Sequence, residues 1–249
     1  MISLNNEPCV ICGETRSALM QETTYPEHDY PGSFCLRRCA GCGLLFNSPR
    51  LDDSELSALY GRNYYFFARS DERELLRSVG IYQRTIALVE DATTEKRCLD
   101  VGSGRGYFPA LLKALGWDAR GVEISEDAVA YARRQFHLEM FTGTAEQFTA
   151  SSDGRAFPLV TAIDVIEHVP SPASFVEALA KLVEPRGTLI IDTPNAASEN
   201  IPAQKTRWPG FNPFHIFLFS PTNLGRLLEK HGFAVQRSFS YHNLPADEA

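Results

Sequence analysis

Two sets of residues in this chain have the types and spacing of chemistry, and two histidines, His168 and His215, lie in segments that could reach the first. The first set is Gly102-Ser-Gly104-Arg-Gly106, with Glu123 about twenty residues beyond the first glycine. Alternate glycines let the backbone turn sharply and approach a ligand closely, because no Cβ intrudes and positive φ is allowed. An acid at that distance, at the end of the next strand, is placed to accept hydrogen bonds from both hydroxyls of a ribose. The second set is Cys9-x-x-Cys12 with Cys39-x-x-Cys42, two knuckles whose four thiolates suit a tetrahedral zinc ion. Gly13 and Gly43 follow the knuckles and suit the tight turns that aim backbone N–H groups at sulfur. A closed set of four ligands leaves no open position, so such a metal is structural rather than catalytic. Disulfides are the competing use of these thiols, and a reducing compartment disfavours them. Cys35 has the wrong spacing for either knuckle, and Cys98 reads as a small core hydrophobe.

These residues need elements to hold them. Arg97 to Val101 reads as a buried strand, followed by the glycine turn and an amphipathic helix carrying Phe108, Leu111, Leu112 and Leu115. That helix points its unpaired N–H groups at whatever sits on the turn. A second strand ends in Glu123, and Ser125 caps a helix through Phe136. A strand over Glu139 to Thr142 leads to Gly143-Thr144-Ala145-Glu146. The near-continuous apolar run from Phe157 to Asp164 fits a central parallel strand buried on both faces. It ends in Asp164-Val-Ile-Glu167-His168-Val-Pro170, and ligands of open α/β sheets bind at such strand ends. A helix from Pro172 to Glu184 and a buried strand from Thr188 to Asp192 come next.

Upstream, Pro49 to Asp53 is a joint, after which Asp53 or Ser54 caps a helix through Tyr60. The aromatic cluster at Tyr64 and Tyr65 precedes a helix from Glu72 to Glu90. Downstream, residues 193–220 are broken by prolines and rich in aromatics (Trp208, Phe211, Phe214, Phe217, Phe219), and they read as a substrate cover carrying His215. A helix from Pro221 to Gly232 and a strand from Phe233 to Ser240 follow. The nine residues from Tyr241 to Ala249 either supply a short seventh strand or leave the sheet incomplete.

With 249 residues, the chain has room for one α/β domain and a small appendage. Its start lacks the basic and apolar regions of a signal peptide, and no apolar run reaches membrane-span length, so a cytoplasmic protein is expected. The net charge of -7 argues against a general nucleic-acid binder. The N-terminal module agrees, since residues 5–50 hold four Arg, no Lys and five acids.

With Asp100 in front of it, D-V-G-S-G-R-G resembles motif I of the class I S-adenosylmethionine-dependent methyltransferases, and Glu123 matches their ribose-binding acid. D-V-I-E-H-V-P-S-P resembles the fourth motif of the small-molecule branch that includes ubiquinone-pathway O-methyltransferases. The stretch His215-Ile-Phe-Leu-Phe-Ser220 is similar to the H-x-x-x-F-S of the same branch, and the cysteine knuckles with L-F-N-S-P-R look like the ribbon that precedes such domains in bacterial methyltransferases. The resemblance implies an α/β fold, a Rossmann-like doubly wound, mostly parallel sheet of order 3-2-1-4-5-7-6, with a small N-terminal four-cysteine zinc ribbon. It divides the chain into a ribbon (1–50), a helical linker and cofactor lid (51–94) that includes Tyr64 and Tyr65, and a catalytic domain (95–249). It implies a cofactor set of Asp100, Gly102, Gly104, Gly106, Tyr107, Glu123, Ile124, Ala145, Glu146 and Asp164, with Asp164 at the methionine end. The family often has an acid at the position of Thr144, so adenine recognition falls to groups near Ala145 and Glu146.

Methyl transfer to a hydroxyl needs alignment and a base, and His215 and His168 are the candidates. Asp164-x-x-Glu167-His168 with His215 also resembles the E-x-x-E-H…H magnesium set of small-RNA 3′-end methyltransferases, with Asp164 in place of a glutamate. The expected function is methylation of a small-molecule acceptor, most simply an oxygen of a secondary metabolite, sugar or quinone-like ring. RNA methylation through the zinc ribbon is the alternative, and a module that keeps the cofactor only structurally is a third. The ribbon and the aromatic cover also offer surface for a homodimer.

Overall fold

The computed structural model describes residues 1–24, 33–52, 54–55, 72–151, 155–198, 208 and 210–240. Of the expected helix through Tyr60, Ser54 and Glu55 are helical, while residues 56–60, Tyr64, Tyr65 and residues 241–249 lie outside the described residues. Strands β1 (Ser17–Thr24), β2 (Ser33–Cys39) and β3 (Leu45–Ser48) form an antiparallel sheet. A long helix, α1 (Glu72–Ala92), then leads into β4 (Arg97–Val101), α2 (Tyr107–Ala114), β5 (Asp118–Glu123), α3 (Glu126–Phe136), β6 (Glu139–Thr142) and α4 (Ala145–Ser151). The chain continues through β7 (Phe157–Ile163), α5 (Pro172–Leu182), β8 (Val183–Asp192), the short β9 (Phe217–Leu218) and α6 (Pro221–Lys230).

The alternation of strand and helix from β4 to β8 produces a parallel sheet of order β6-β5-β4-β7-β8. Numbered from β4, this is the 3-2-1-4-5 part of the expected order. Sheet growth reverses between β4 and β7, which is the topological switch point. Apolar side chains on β4 and β7, including Cys98, Leu99, Leu159 and Val160, are wholly buried, as strands covered on both faces require.

The other end of the sheet departs from expectation. Residues 233–240, expected as a strand, join no ladder among the described residues, and most of them are exposed. In an order ending 5-7-6, the sixth strand pairs only with the seventh, so it has no hydrogen-bonding partner until that neighbour is in place. β8 correspondingly starts earlier than expected, at Val183, and is half-buried rather than buried, because its outer edge faces a groove shared with residues 233–240.

The antiparallel sheet is completed by β9, which pairs with β3 through Leu45↔Leu218 and Phe46↔Phe217. The stretch read as a substrate cover thus supplies a strand to the N-terminal sheet, and Phe211, Phe214, Ile216, Phe217 and Phe219 are buried. One hydrophobic core runs from Phe34, Leu44 and Phe46 through these residues to Val160, Phe175 and Leu227. Burial of so many large side chains is the main term holding the two sheets together. Asp52, one residue ahead of the expected cap, accepts the N–H groups of Ser54 and Glu55, while Glu55 accepts the N–H of Asp52.

Candidate active site and four-cysteine cluster

The loops after β4, β5 and β7 come together at the carboxyl edge of the parallel sheet. Gly102 and Gly106 both take positive φ, 79° and 77°. A Cβ on Gly102 would stand 2.3 Å from Val165 Cγ2, so the turn packs directly on the loop after β7. A Cβ on Gly106 would meet Leu138 and Ala132 at 2.7 and 2.8 Å, so this glycine seats the start of α2 against α3 and the residue that precedes β6. Gly106 caps α2 without a side-chain hydrogen bond.

Glu123 ends β5 with its carboxylate buried and tied to the turn: Oε2 accepts the Gly104 N–H at 2.8 Å and Oε1 the Ser125 N–H at 2.9 Å. Burial raises its pKa despite those donors. Asp100 is buried under the turn, where its Oδ1 accepts the Thr161 hydroxyl at 2.6 Å across the switch point, and burial pushes the acid up to about 6. Thr161 belongs to no motif in the sequence. A lone hydroxyl residue within the apolar run of β7 is the available signal.

Tyr107 opens α2 with its hydroxyl 3.4 Å from that of Tyr131. Ile124 is exposed beside Glu123, Ala145 is buried, and Glu146 is exposed in the first turn of α4. Thr144 explains its own departure from the family pattern, because it forms the reciprocal cap of α4: its Oγ1 accepts the Gln147 N–H and Gln147 Oε1 accepts the Thr144 N–H. Asp164 lies just past β7 with φ 52°, its N–H donating to the Asp192 carbonyl at 2.9 Å.

His168 and His215 are brought together, their ring centroids 4.7 Å apart in an edge-on contact. Each ring donates from Nδ1 to a backbone carbonyl of one loop, His168 to Phe214 and His215 to Gly210, both at 2.9 Å. Donation from Nδ1 makes Nε2 the basic nitrogen of each neutral ring. Desolvation lowers the pKa of His168 to about 4, and desolvation together with His168 lowers that of His215 to about 3, so both are neutral near pH 7. Glu167 is buried beside them: Oε2 accepts the Thr193 hydroxyl at 2.8 Å, while Oε1 has no hydrogen-bond partner among the described residues and lies 3.9 Å from His168 Nε2. One ligand atom from each of Glu167, His168 and His215 falls within 4.8 Å of the others, and Asp164 stands outside this group.

The four knuckle cysteines also converge. Cys9 Sγ lies 3.6 Å from Cys42 Sγ, and Cys12 Sγ lies 3.6 Å from Cys39 Sγ. Backbone N–H groups of Ile11 and Cys12 point at the Cys9 sulfur, and those of Gly41 and Cys42 at the Cys39 sulfur. Gly13 and Gly43, both at φ 75°, close the two turns. Cys35 is half-buried and outside the cluster, and Cys98 is buried in β4.

A parallel sheet with a glycine turn, a strand-end acid and a second polar cluster across the switch point defines a nucleotide-cofactor α/β enzyme. The family is shown by a profile described as a methyltransferase domain, which matches residues 68–238, and the chain belongs to that family. The ubiquinone biosynthesis O-methyltransferase of Aromatoleum aromaticum is 37% identical over 105 residues, 40% of this chain and 44% of that protein. The protein of the same description from Methylococcus capsulatus is 30% identical over 128 residues, 50% of this chain and 54% of that one. The chain thus spans about half the length of the curated relatives it matches. Among solved structures, a SAM-dependent methyltransferase from Archaeoglobus fulgidus shares the fold, with a TM-score of 0.55 over 69% of this chain and 75% of that chain at 24% identity. No helix among the described residues is long and apolar enough to cross a membrane.

Proposed function

We propose that the chain transfers the methyl group of S-adenosylmethionine to an oxygen of a small-molecule acceptor, in the class of quinone-like rings bearing hydroxyls. One observation carries the proposal: the Glu123 carboxylate, joined to the glycine turn through Gly104, and the paired imidazoles of His168 and His215 stand on opposite sides of one switch point. When bound, S-adenosylmethionine supplies a methyl group on a sulfonium, open to in-line displacement. Glu123 spends two of roughly four acceptor positions on backbone N–H groups, which leaves room for two ribose hydroxyls. Asp100, Gly102, Gly104, Gly106 and Tyr107 form the floor and rim of the cofactor site, Ile124, Ala145 and Glu146 its adenine side, and Asp164 its methionine end. Nε2 of His215 or His168 takes the acceptor's proton. The naming of the curated relatives supports oxygen as the acceptor atom and a ring as its carrier.

Two metal sites belong to this reading. A tetrahedron with Zn–S bonds of about 2.3 Å has S–S edges of about 3.8 Å, close to the 3.6 Å found for two of the sulfur pairs. Cys9, Cys12, Cys39 and Cys42 therefore fit a structural zinc ion. Glu167 Oε1, buried and without a hydrogen-bond partner among the described residues, supports a second role for this group in place of the base: a cation held by Glu167, His168 and His215, whose Nε2 atoms would then be ligands and take no proton. Such an ion would supply a charge that lowers the pKa of a nearby acceptor hydroxyl. Two imidazoles and one carboxylate accept manganese, iron or zinc at least as readily as the harder magnesium.

The test is transfer of label from methyl-labelled S-adenosylmethionine to a lysate separated into metabolite, RNA and protein fractions, with 3,4-dihydroxybenzoate as a parallel probe. Label in the metabolite fraction is expected. Label confined to RNA would overturn the small-molecule reading, and loss of transfer on brief chelation that returns on adding magnesium or manganese, with the zinc content unchanged, shows that the second cation is needed.

A further inference from the structure

The N-terminal module is built into the fold at one point that no function above has used. Asn47 lies on β3, five residues beyond the last knuckle cysteine, and is wholly buried. Its side-chain Nδ2 donates two hydrogen bonds of 2.8 Å, one to the carbonyl of Asn212 and one to the carbonyl of His215. Its own backbone N–H donates to the Ile216 carbonyl at 2.9 Å. From the opposite side, the Glu167 carbonyl accepts the N–H groups of Ile216 and Phe217, at 2.7 and 3.2 Å. The turn carrying His215 is thus clamped between β3 and the loop after β7.

The clamp begins at the cysteine cluster. Gly43 N–H donates to the Cys39 carbonyl and Cys39 N–H to the Leu44 carbonyl, so the second knuckle runs into β3 with no slack. Asn223, buried at the start of α6, donates from Nδ2 to the Cys42 carbonyl at 3.1 Å. Side-chain amides therefore tie the knuckle and its strand to segments on both sides of β9. We infer that Asn47 is a positioning residue for His215, and that the four-cysteine module serves the reaction as a strut: it fixes the acceptor-side imidazole without touching a reactant. This rests on the reading of His215 as a group of the reacting site. It makes the pairing of a cysteine ribbon with this fold a matter of geometry rather than of nucleic-acid contact.

The experiment uses the full chain with its metal, isotope-labelled at histidine, and compares wild type with Asn47→Ala. The His215 imidazole resonances, assigned with His215→Asn, report its tautomer and setting by NMR without any acceptor. In Asn47→Ala those resonances move while S-adenosylmethionine affinity stays within about twofold of wild type, and kcat for the acceptor found by label transfer falls roughly ten- to a hundredfold. Adding Asn47→Ala to His215→Ala costs nothing further, because the two act through one imidazole. Unchanged His215 resonances in a folded Asn47→Ala protein, or losses that simply add, overturn the inference. Should Asn47→Ala fail to fold, Asn47→Ser keeps one donor and is read by the same measurements. Wild-type turnover of His215→Ala would instead sink the reading on which the inference stands, and it is measured separately.

Discussion

Two buried carboxyls at this site have opposite degrees of support. Glu123 receives two backbone N–H groups, whereas the Asp100 side chain receives the Thr161 hydroxyl under the turn and is pushed up to about 6 by burial. A carboxyl that holds its proton more tightly folded than unfolded adds stability at low pH, and this contribution is lost as pH rises from about 4 to about 6. Asp100→Asn removes that loss. Near neutral pH and without cofactor, the variant is expected to be more stable than wild type by roughly 1–3 kcal/mol, with the gain vanishing below about pH 4. Its affinity for S-adenosylmethionine falls, since the cationic cofactor favours the carboxylate. Urea unfolding at the two pH values and calorimetric titration check both halves. Asp100, Glu123 and His168 are legible in the sequence because each belongs to a motif at or just past a strand end, and His215 because it opens the H-x-x-x-F-S stretch. Thr161 and Thr193 are not, because a hydroxyl's partner cannot be read from the chain around it.

Elements meet here through small contacts that leave no space. Gly102 shows this most sharply, since its positive φ and the 2.3 Å approach of Val165 Cγ2 to an added Cβ are two separate obstacles. Gly102→Ala is expected to destabilise the fold by about 2–4 kcal/mol and to weaken cofactor binding. Adding Val165→Ala should restore only the steric part, leaving about 1–2 kcal/mol from the backbone conformation. Thermal unfolding of the single and double variants separates the two, and full restoration would mean that the turn tolerates a side chain. Helix caps show how far local sequence reaches: Ser125 caps α3 as its position predicts, and its Oγ accepts the Ala128 N–H. Residues 233–240 show the limit, because a strand forms only through a pairing neighbour, and among the described residues this stretch joins no ladder.

Across the whole molecule, the N-terminal sheet and the methyltransferase part share β9 and one core. Metal at the cysteine cluster should therefore stabilise the entire described fold and not a detachable ribbon. Purified protein is expected to hold about one zinc per chain at this cluster. Cys42→Ser, or prolonged chelation, should remove it and lower the midpoint of a single unfolding transition. A separate low-temperature transition, with the main midpoint unmoved, would show instead that the module folds on its own. Metal analysis and differential scanning calorimetry on one preparation decide between these outcomes.

The amino-acid sequence by itself determined the alternation of strands and helices, the glycine turn with its acid, and the pairing of cysteine knuckles. These depend on neighbours within a few residues or on periodicity that any window reveals. The tertiary structure alone decided that His168 and His215 lie ring against ring, that Glu167 has a buried oxygen beside them with no hydrogen-bond partner among the described residues, and that Asn47 holds a turn 165 residues away. Such contacts depend on where β3 and β9 dock, and docking follows from apolar surface buried by the chain as a whole. No stretch of sequence carries that information, because the burial that drives it has no direction of its own.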